Sequence, residues 1–315
     1  MSDIKKLKIA AFLDGRPGHE KQTVGIISQI RKSIDTEIVN IDVRKPSFYR
    51  FLKLILGYIF PILSDIDSSV AACDVLIGTG THTHLPMLIH KKKYGTPVVT
   101  CMTPAGFILR KFDLIFSPMH DNVTTSENII TTVGPPNSNE NKRSHNTDEV
   151  LILVGGVDEK SHYWSTDELI EQVELILSRE PEKSFTISTS PRTPSETSEK
   201  LLRLQKNNKN VQFFNFKDTP PGWVEDAYSK CKYVWVTGDS ISMVYEALSS
   251  GCFVGIIPVH WKRKSGKFIR SQSFLKDSGY ILQLEDYVSG KQDWQDTATL
   301  NEAKRCADIL LKKLQ

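Results

Sequence analysis

The sequence predicts an α/β protein of two successive lobes, each an open parallel sheet with helices on its faces. Three observations carry this. The chain has 315 residues, room for about two domains of ~150 residues each. Short apolar runs alternate with longer amphipathic ones across glycine turns, the rhythm of parallel βαβ units. That rhythm stops at GPPNSNENKRSHNTDE, residues 134–149, a polar stretch without apolar periodicity, and then restarts. The lobes are placed at residues 1–140 and 147–295, with a closing helical segment, 296–315, that can pack back on the first lobe. Ligands of such folds sit at the carboxyl ends of the strands, so a cleft between the lobes is the expected site.

Residues 8–13 (KIAAFL) read as a buried strand ending in Asp14-Gly15-Arg16-Pro17-Gly18. A helix follows over 19–33, with Val24, Ile27 and Ile30 at helical spacing. Strands over 37–43 and 74–77 come next, then Gly78-Thr79-Gly80, a helix over 85–93, and apolar runs at 96–102 and 113–117. In the second lobe strands fall at 150–154, 184–188, 211–214, 233–236 and 253–257. Helices fall at 166–178, from Ser240 to 249, and over 301–314.

Composition narrows the classes. With 39% hydrophobic and 24% charged residues the chain is globular, not disordered or collagen-like. A net charge of +3 is too mild to argue for nucleic acid. Five cysteines, at 73, 101, 231, 252 and 306, form no C-x-x-C pair. That argues against a disulfide framework or zinc ribbon and for a reducing compartment. Asp14 breaks the first apolar run, which therefore does not read as a signal peptide. No run of 18 uncharged apolar residues exists to form a conventional spanning helix. The expected location is cytoplasmic, or peripheral on the inner membrane face. The segment 45–63, KPSFYRFLKLILGYIFPIL, has two readings: a helix packed on the sheet, or a membrane-surface patch. In the second, apolar side chains enter the acyl boundary while Arg44, Lys45, Arg50 and Lys53 meet anionic headgroups.

Glycine loops carry the candidate chemistry. In Asp14-Gly15-Arg16-Pro17-Gly18-His19-Glu20 the glycines allow a tight turn, and His19 at the mouth of a helix suits a general base, with Asp14 or Glu20 to orient it. An exposed structural turn is the alternative. Gly78-Thr79-Gly80-Thr81-His82-Thr83-His84 carries a His-x-His pair that, on extended backbone, would present both imidazoles on one side. Only His120-Asp121 offers further ligands, so a turn contacting substrate is preferred and no metal is assigned. The third loop, Thr237-Gly238-Asp239-Ser240-Ile241-Ser242, opens a helix whose free amides and hydroxyls make an anion site. Glu246 follows on that helix, placed to accept from sugar hydroxyls; the plain alternative makes Ser240 an N-cap. Gly155-Gly156 and Ser190-Pro191-Arg192 end strands of the same sheet, and one Arg among amides and hydroxyls suits a diphosphate. P-loop, dinucleotide and G-x-S-x-G signatures are absent from the sequence.

Taken in order, these loops with Thr83-His84-Leu85-Pro86, Pro118-Met119-His120-Asp121, Gly134-Pro135-Pro136 and Val236 through Met243 resemble the mitochondrial-fission family of the elongated-mitochondria type. The similarity runs over residues 8–260. The chain departs from that pattern at Thr79-Gly80-Thr81-His82, where basic residues often occur, and at Val157-Asp158-Glu159-Lys160. The family in turn looks like the GT-B glycosyltransferases, notably the GlcNAc transferase that makes lipid II, and like UDP-GlcNAc 2-epimerase. The resemblance implies that Gly15, Gly18 and His19 match a glycine loop and catalytic histidine, and that Gly238, Ser240, Ser242, Glu246 and Gly251 match a nucleotide-sugar helix. The expected function is a nucleotide-sugar-dependent glycosyltransferase acting on a membrane-linked or glycan acceptor. The expected donor is UDP-sugar-like, with no cofactor and no metal. The alternatives are a non-enzymatic membrane adaptor that recruits a dynamin-like GTPase, as described for the plant member, and a UDP-HexNAc epimerase.

Overall fold

A computed structural model of the chain describes residues 6–44, 46–64, 68–263, 266–295 and 299–315. Lys45, one of the expected surface cations, residues 1–5 and residues 296–298, where the last domain boundary was expected, lie outside the described residues. The chain divides into two compact units: Met1–Ser138 with Asn301–Gln315, and Asn139–Leu300.

The first unit runs β1 (Leu7–Leu13), α1 (Pro17–Ser33), β2 (Thr36–Asp42), α2 (Phe48–Ile59), β3 (Val75–Thr79), α3 (Thr81–Tyr94), β4 (Val98–Cys101), β5 (Leu114–Pro118) and β6 (Ile129–Thr132). Its strands pair in parallel in the order β2-β1-β3-β4-β5-β6. Every residue of β3 is buried, as a central parallel strand covered on both faces requires. Side chains alternate along β1: Ile9 and Ala11 pack with Ile26 and Ile30 of α1, while Ala10 and Phe12 face Met87 and Leu88 of α3.

The second unit runs β7 (Asn146–Leu153), β8 (His162–Tyr163), α4 (Thr166–Arg179), β9 (Ser184–Ser188), α5 (Ser195–Asn207), β10 (Val211–Phe214), α6 (Trp223–Lys230), β11 (Cys231–Thr237), α7 (Ile241–Ser249), β12 (Phe253–Ile257), β13 (His260–Trp261), α8 (Lys267–Asp277), β14 (Ile281–Gln283) and α9 (Leu284–Val288). The parallel order β10-β9-β7-β11-β12-β14 is the doubly wound 3-2-1-4-5-6 arrangement. Its core joins Val150 and Ile152 to Val173 and Ile176 of α4 and to Trp235, which is fully buried. The last helix, α10 (Glu302–Leu314), belongs to the first unit: Cys306, Ala307 and Leu310 enter the core on the α1 side of the sheet. Arg305 donates from Nη2 to the carbonyl of Thr131 at 2.6 Å.

Three local readings change. The helix expected from residue 85 begins at Thr81 and runs through Pro86, because Gly80, at φ +98°, turns the chain straight out of β3. The polar stretch read as a linker is partly strand, since β7 begins at Asn146. The segment 48–59 packs on its unit along one side and leaves apolar side chains exposed on the other. Gly57 is buried, with room for little beyond hydrogen beside Ser64 and Ile89, and Lys92 lies 3.9 Å over the Tyr58 ring. Phe48, Tyr49, Phe51, Leu52, Leu56 and Ile59 are nonetheless exposed. Among the described residues no helix is long and apolar enough to cross a membrane.

Candidate functional site

In an open parallel sheet the strand order reverses at one point, and the loops diverging there leave a crevice at the carboxyl ends of the strands. In the first unit that point lies between β1 and β3, and the residues after both strands meet there. Asp14 follows β1, with its side chain fully buried, and Oδ2 lies 2.7 Å from Nδ1 of His19 in the first turn of α1. Asp14 Oδ1 accepts from the Arg16 amide at 3.1 Å, so both carboxylate oxygens are used. In the tautomer that donates Nδ1–H to Asp14, the lone pair of His19 is on Nε2, and the side chain keeps 18% exposure. Glu20 does not orient the imidazole. Its Oε1 accepts from the Gly15 amide at 2.9 Å and braces the turn, where Gly15 has φ +79°. Gly18 lies in α1 with open space where a side chain would be.

Gly80 closes this pair from the β3 side. A Cβ there would lie 2.3 Å from His19 Nδ1 and 2.6 Å from Asp14 Oδ2, so only glycine lets the strand end approach so closely. Thr23 of α1 and Thr79 of β3 share a hydrogen bond at 2.9 Å just beneath. The His-x-His pair is helical rather than extended, which turns the imidazoles about 200° apart. His82 Nε2 faces Arg16 Nη2 at 3.5 Å. His84 is buried, its Nε2 3.3 Å from Thr100 Oγ1 and its ring edge-on to Phe112. Burial, aided by the nearby His19, holds its pKa down to about 4. Among the described residues no group of three His, Cys, Asp or Glu side chains converges as a metal site requires.

In the second unit the corresponding point lies between β7 and β11, and it gathers Gly155-Gly156, Ser190, Arg192 and the loop from Thr237 to Ser240. The sequence expectation of free amides with Arg192 open to a diphosphate needs correction. Asp239 fills that position. Its side chain is fully buried, and Oδ2 accepts from the Gly156 amide at 3.0 Å and from Arg192 Nη2 at 2.7 Å. Arg192 Nη1 donates to the Gly156 carbonyl at 3.0 Å. The Gly155 amide donates to Thr237 Oγ1 at 2.7 Å, and Ser190 Oγ and Thr193 Oγ1 both donate to the Gly155 carbonyl. A Cβ on Gly155 would meet the Asp239 carboxylate at 2.2 Å. The Gly238 and Ser240 amides donate to the carbonyls of Ile257 and Thr237 at 2.8 and 3.1 Å. The physical reason is charge: a carboxylate on the loop itself satisfies a guanidinium and an amide that would otherwise attract an external oxyanion.

What remains for an anion is the first turn of α7. Helix geometry leaves the amides of residues 241–243 without intrahelical partners, and the side chain of the N-cap residue Ser240 does not cap them. Ser242 is exposed at this turn and Glu246 is partly buried one turn further on. Beside Thr193 lies a cavity of about 480 Å³ lined by Leu202, Phe213, Phe214, Phe216 and Lys217. Sequence reasoning passed over it, although three phenylalanines within four residues at a strand end were a visible signal.

The family model for mitochondrial fission ELM1 matches residues 17–314. The chain belongs to the mitochondrial fission ELM1 family. No curated protein matches its sequence. Among solved structures, a Listeria monocytogenes protein described as a candidate UDP-N-acetylglucosamine 2-epimerase is 13% identical, with 98% of this chain and 95% of that chain covered and a TM-score of 0.64. MurG of Acinetobacter baumannii is 15% identical, with 97% and 99% covered and a TM-score of 0.56. UGT71G1 of Medicago truncatula, solved with UDP-glucose, is 11% identical, with 99% and 95% covered and a TM-score of 0.52. At such identities the likeness is one of fold: this ELM1-family chain has the two Rossmann-like lobes of the GT-B glycosyltransferases.

Proposed function

We propose that this ELM1-family protein is a nucleotide-sugar-dependent glycosyltransferase with a membrane-linked acceptor. The observation that carries the reading is the buried Asp14 carboxylate 2.7 Å from His19, which leaves Nε2 as the open base. In the proposed reaction His19 Nε2 takes the proton of an acceptor hydroxyl, and that oxygen attacks the anomeric carbon as the bond to the nucleoside diphosphate breaks. One displacement inverts the anomeric centre. Asp14 stabilises the imidazolium that forms. The amides opening α7 take the charge that develops on the departing diphosphate, Glu246 accepts from the ribose, and the base stacks in the aromatic cavity beside Phe214 and Phe216. The exposed apolar face of α2 supports a peripheral membrane position.

Thermal melting with UDP-, GDP- and CDP-sugars tests this. A true donor at one hundred times its Kd adds about 2.7 kcal/mol of stability, and Glu246→Ala reduces the shift at unchanged unliganded stability. A panel without any shift overturns the reading. The Asp239–Arg192 pair favours one other reading, an adaptor that keeps the fold but fills its own anion site; it requires that no nucleotide sugar binds. Turnover of a UDP-HexNAc without acceptor would instead assign an epimerase.

A further inference from the structure

The first unit holds a cavity of about 580 Å³ that the transfer chemistry does not use, bounded by α2, the end of β2 and α3. This is the size range of sites that enclose a small organic molecule. Its floor is apolar, with Phe12, Val43 and Ile89 all buried and Leu54 of α2 above them. Its mouth is cationic: Arg44, Arg50 and Lys53 line it, and the one carboxylate lining it among the described residues, Asp42, is held by Arg44 at 3.0 Å. Around that mouth α2 exposes Phe48 and Tyr49, each 79% accessible, with Leu52 and Leu56. Greasy floor, positive mouth and apolar surround together fit an amphiphile with an anionic head that is presented by a bilayer. A zwitterionic head would bring its own cation to a mouth already rich in cations, whereas a terminal phosphate would not.

We infer that this cavity binds a membrane lipid bearing a terminal phosphate, the head at Arg50 and Lys53 and the start of the tail against Leu54, Phe12 and Ile89. The cavity adjoins the His19 loop. Arg44 Cγ lies 3.8 Å from where a Gly15 side chain would start, and His82 of the cavity wall is 3.5 Å from Arg16. The inference rests on the membrane-facing reading of α2 and not on transfer chemistry, so it has its own test.

The full chain is titrated with dodecyl phosphate below its micelle concentration and with inorganic phosphate. It is also floated on phosphatidylcholine vesicles with and without phosphatidic acid. Dodecyl phosphate is expected to saturate at one per chain and to bind at least about tenfold more tightly than inorganic phosphate, and flotation is expected only with phosphatidic acid. Leu54→Trp fills the cavity without altering a charge and removes dodecyl phosphate binding. The surface variant Arg50→Glu/Lys53→Glu weakens both lipid readouts by roughly fivefold or more per charge. Equal affinity for inorganic phosphate, or flotation indifferent to phosphatidic acid and to both variants, overturns the inference. Lipid binding without any nucleotide-sugar shift overturns the transferase reading alone, and the converse result overturns the cavity alone.

Discussion

Arg192 and Asp239, 47 positions apart in the chain, form a 2.7 Å ion pair in which the Asp239 side chain is fully buried and the Arg192 side chain is 41% exposed. The asymmetry predicts unequal variants. Arg192→Ala leaves a buried charge with little besides the Gly156 amide and should destabilise by about 2–4 kcal/mol, toward the lower end because Arg192 is half in solvent. Asp239→Asn frees a guanidinium that water can reach, costs less, and should strengthen UDP binding. Chemical denaturation and nucleotide titration of the two variants check this; weaker UDP binding by Asp239→Asn would show that the carboxylate does not compete with the ligand.

The Asp14–His19 pair predicts that His19→Ala lowers turnover by about 10²–10⁴-fold with little change in donor affinity. Asp14→Asn should cost a comparable factor at preserved fold, because an amide no longer favours the tautomer with its lone pair on Nε2. Steady-state kinetics with separate donor titration read both. Full activity in either variant would return the loop to a structural turn.

Gly80→Ala tests the closeness of the two loops. The added methyl has no room beside His19 and Asp14, and φ +98° is unfavourable for alanine. A loss of about 1–3 kcal/mol in stability is expected, with a fall in turnover that follows the displaced imidazole. Crystallography of the variant would show His19 moved away from Asp14.

Acid should weaken the fold through His84. Its imidazole titrates near 6.5 when unfolded and at about 4 when buried in the folded chain. Between those values the unfolded chain binds the extra proton, so stability falls as pH drops and levels off below about 4. The total is about 3 kcal/mol. Melting temperatures across this window should fall less steeply for His84→Gln; an identical slope would place the sensitivity elsewhere.

The two sheets and their glycine turns were legible because buried parallel strands write continuous apolar runs and a chain leaving them needs glycine. Asp14, His19 and Glu20 were legible as a group, but Asp14 and Glu20 stood as equal partners for His19 until the turn around Gly15 sent one carboxylate to the imidazole and the other to an amide. The start of α3 was hidden because His82 to Pro86 reads like a turn and the φ of Gly80 is not written in its neighbours. The Asp239–Arg192 pair was hidden more deeply. Each residue looked like part of an anion site, and only the parallel register of β7 against β9 and β11 brings opposite charges together.

Because α10 completes the core of the first unit, that unit is assembled from two stretches of chain with the whole second unit between them. Its leading segment leaves the ribosome long before Cys306, Ala307 and Leu310 exist to cover Ile26 and Ile30. The earlier-made half must therefore wait, with its α1-side surface uncovered, until the later-made half has been synthesised. Removing α10 would reopen that surface in a finished molecule, so a loss late in the sequence damages the unit that was begun first.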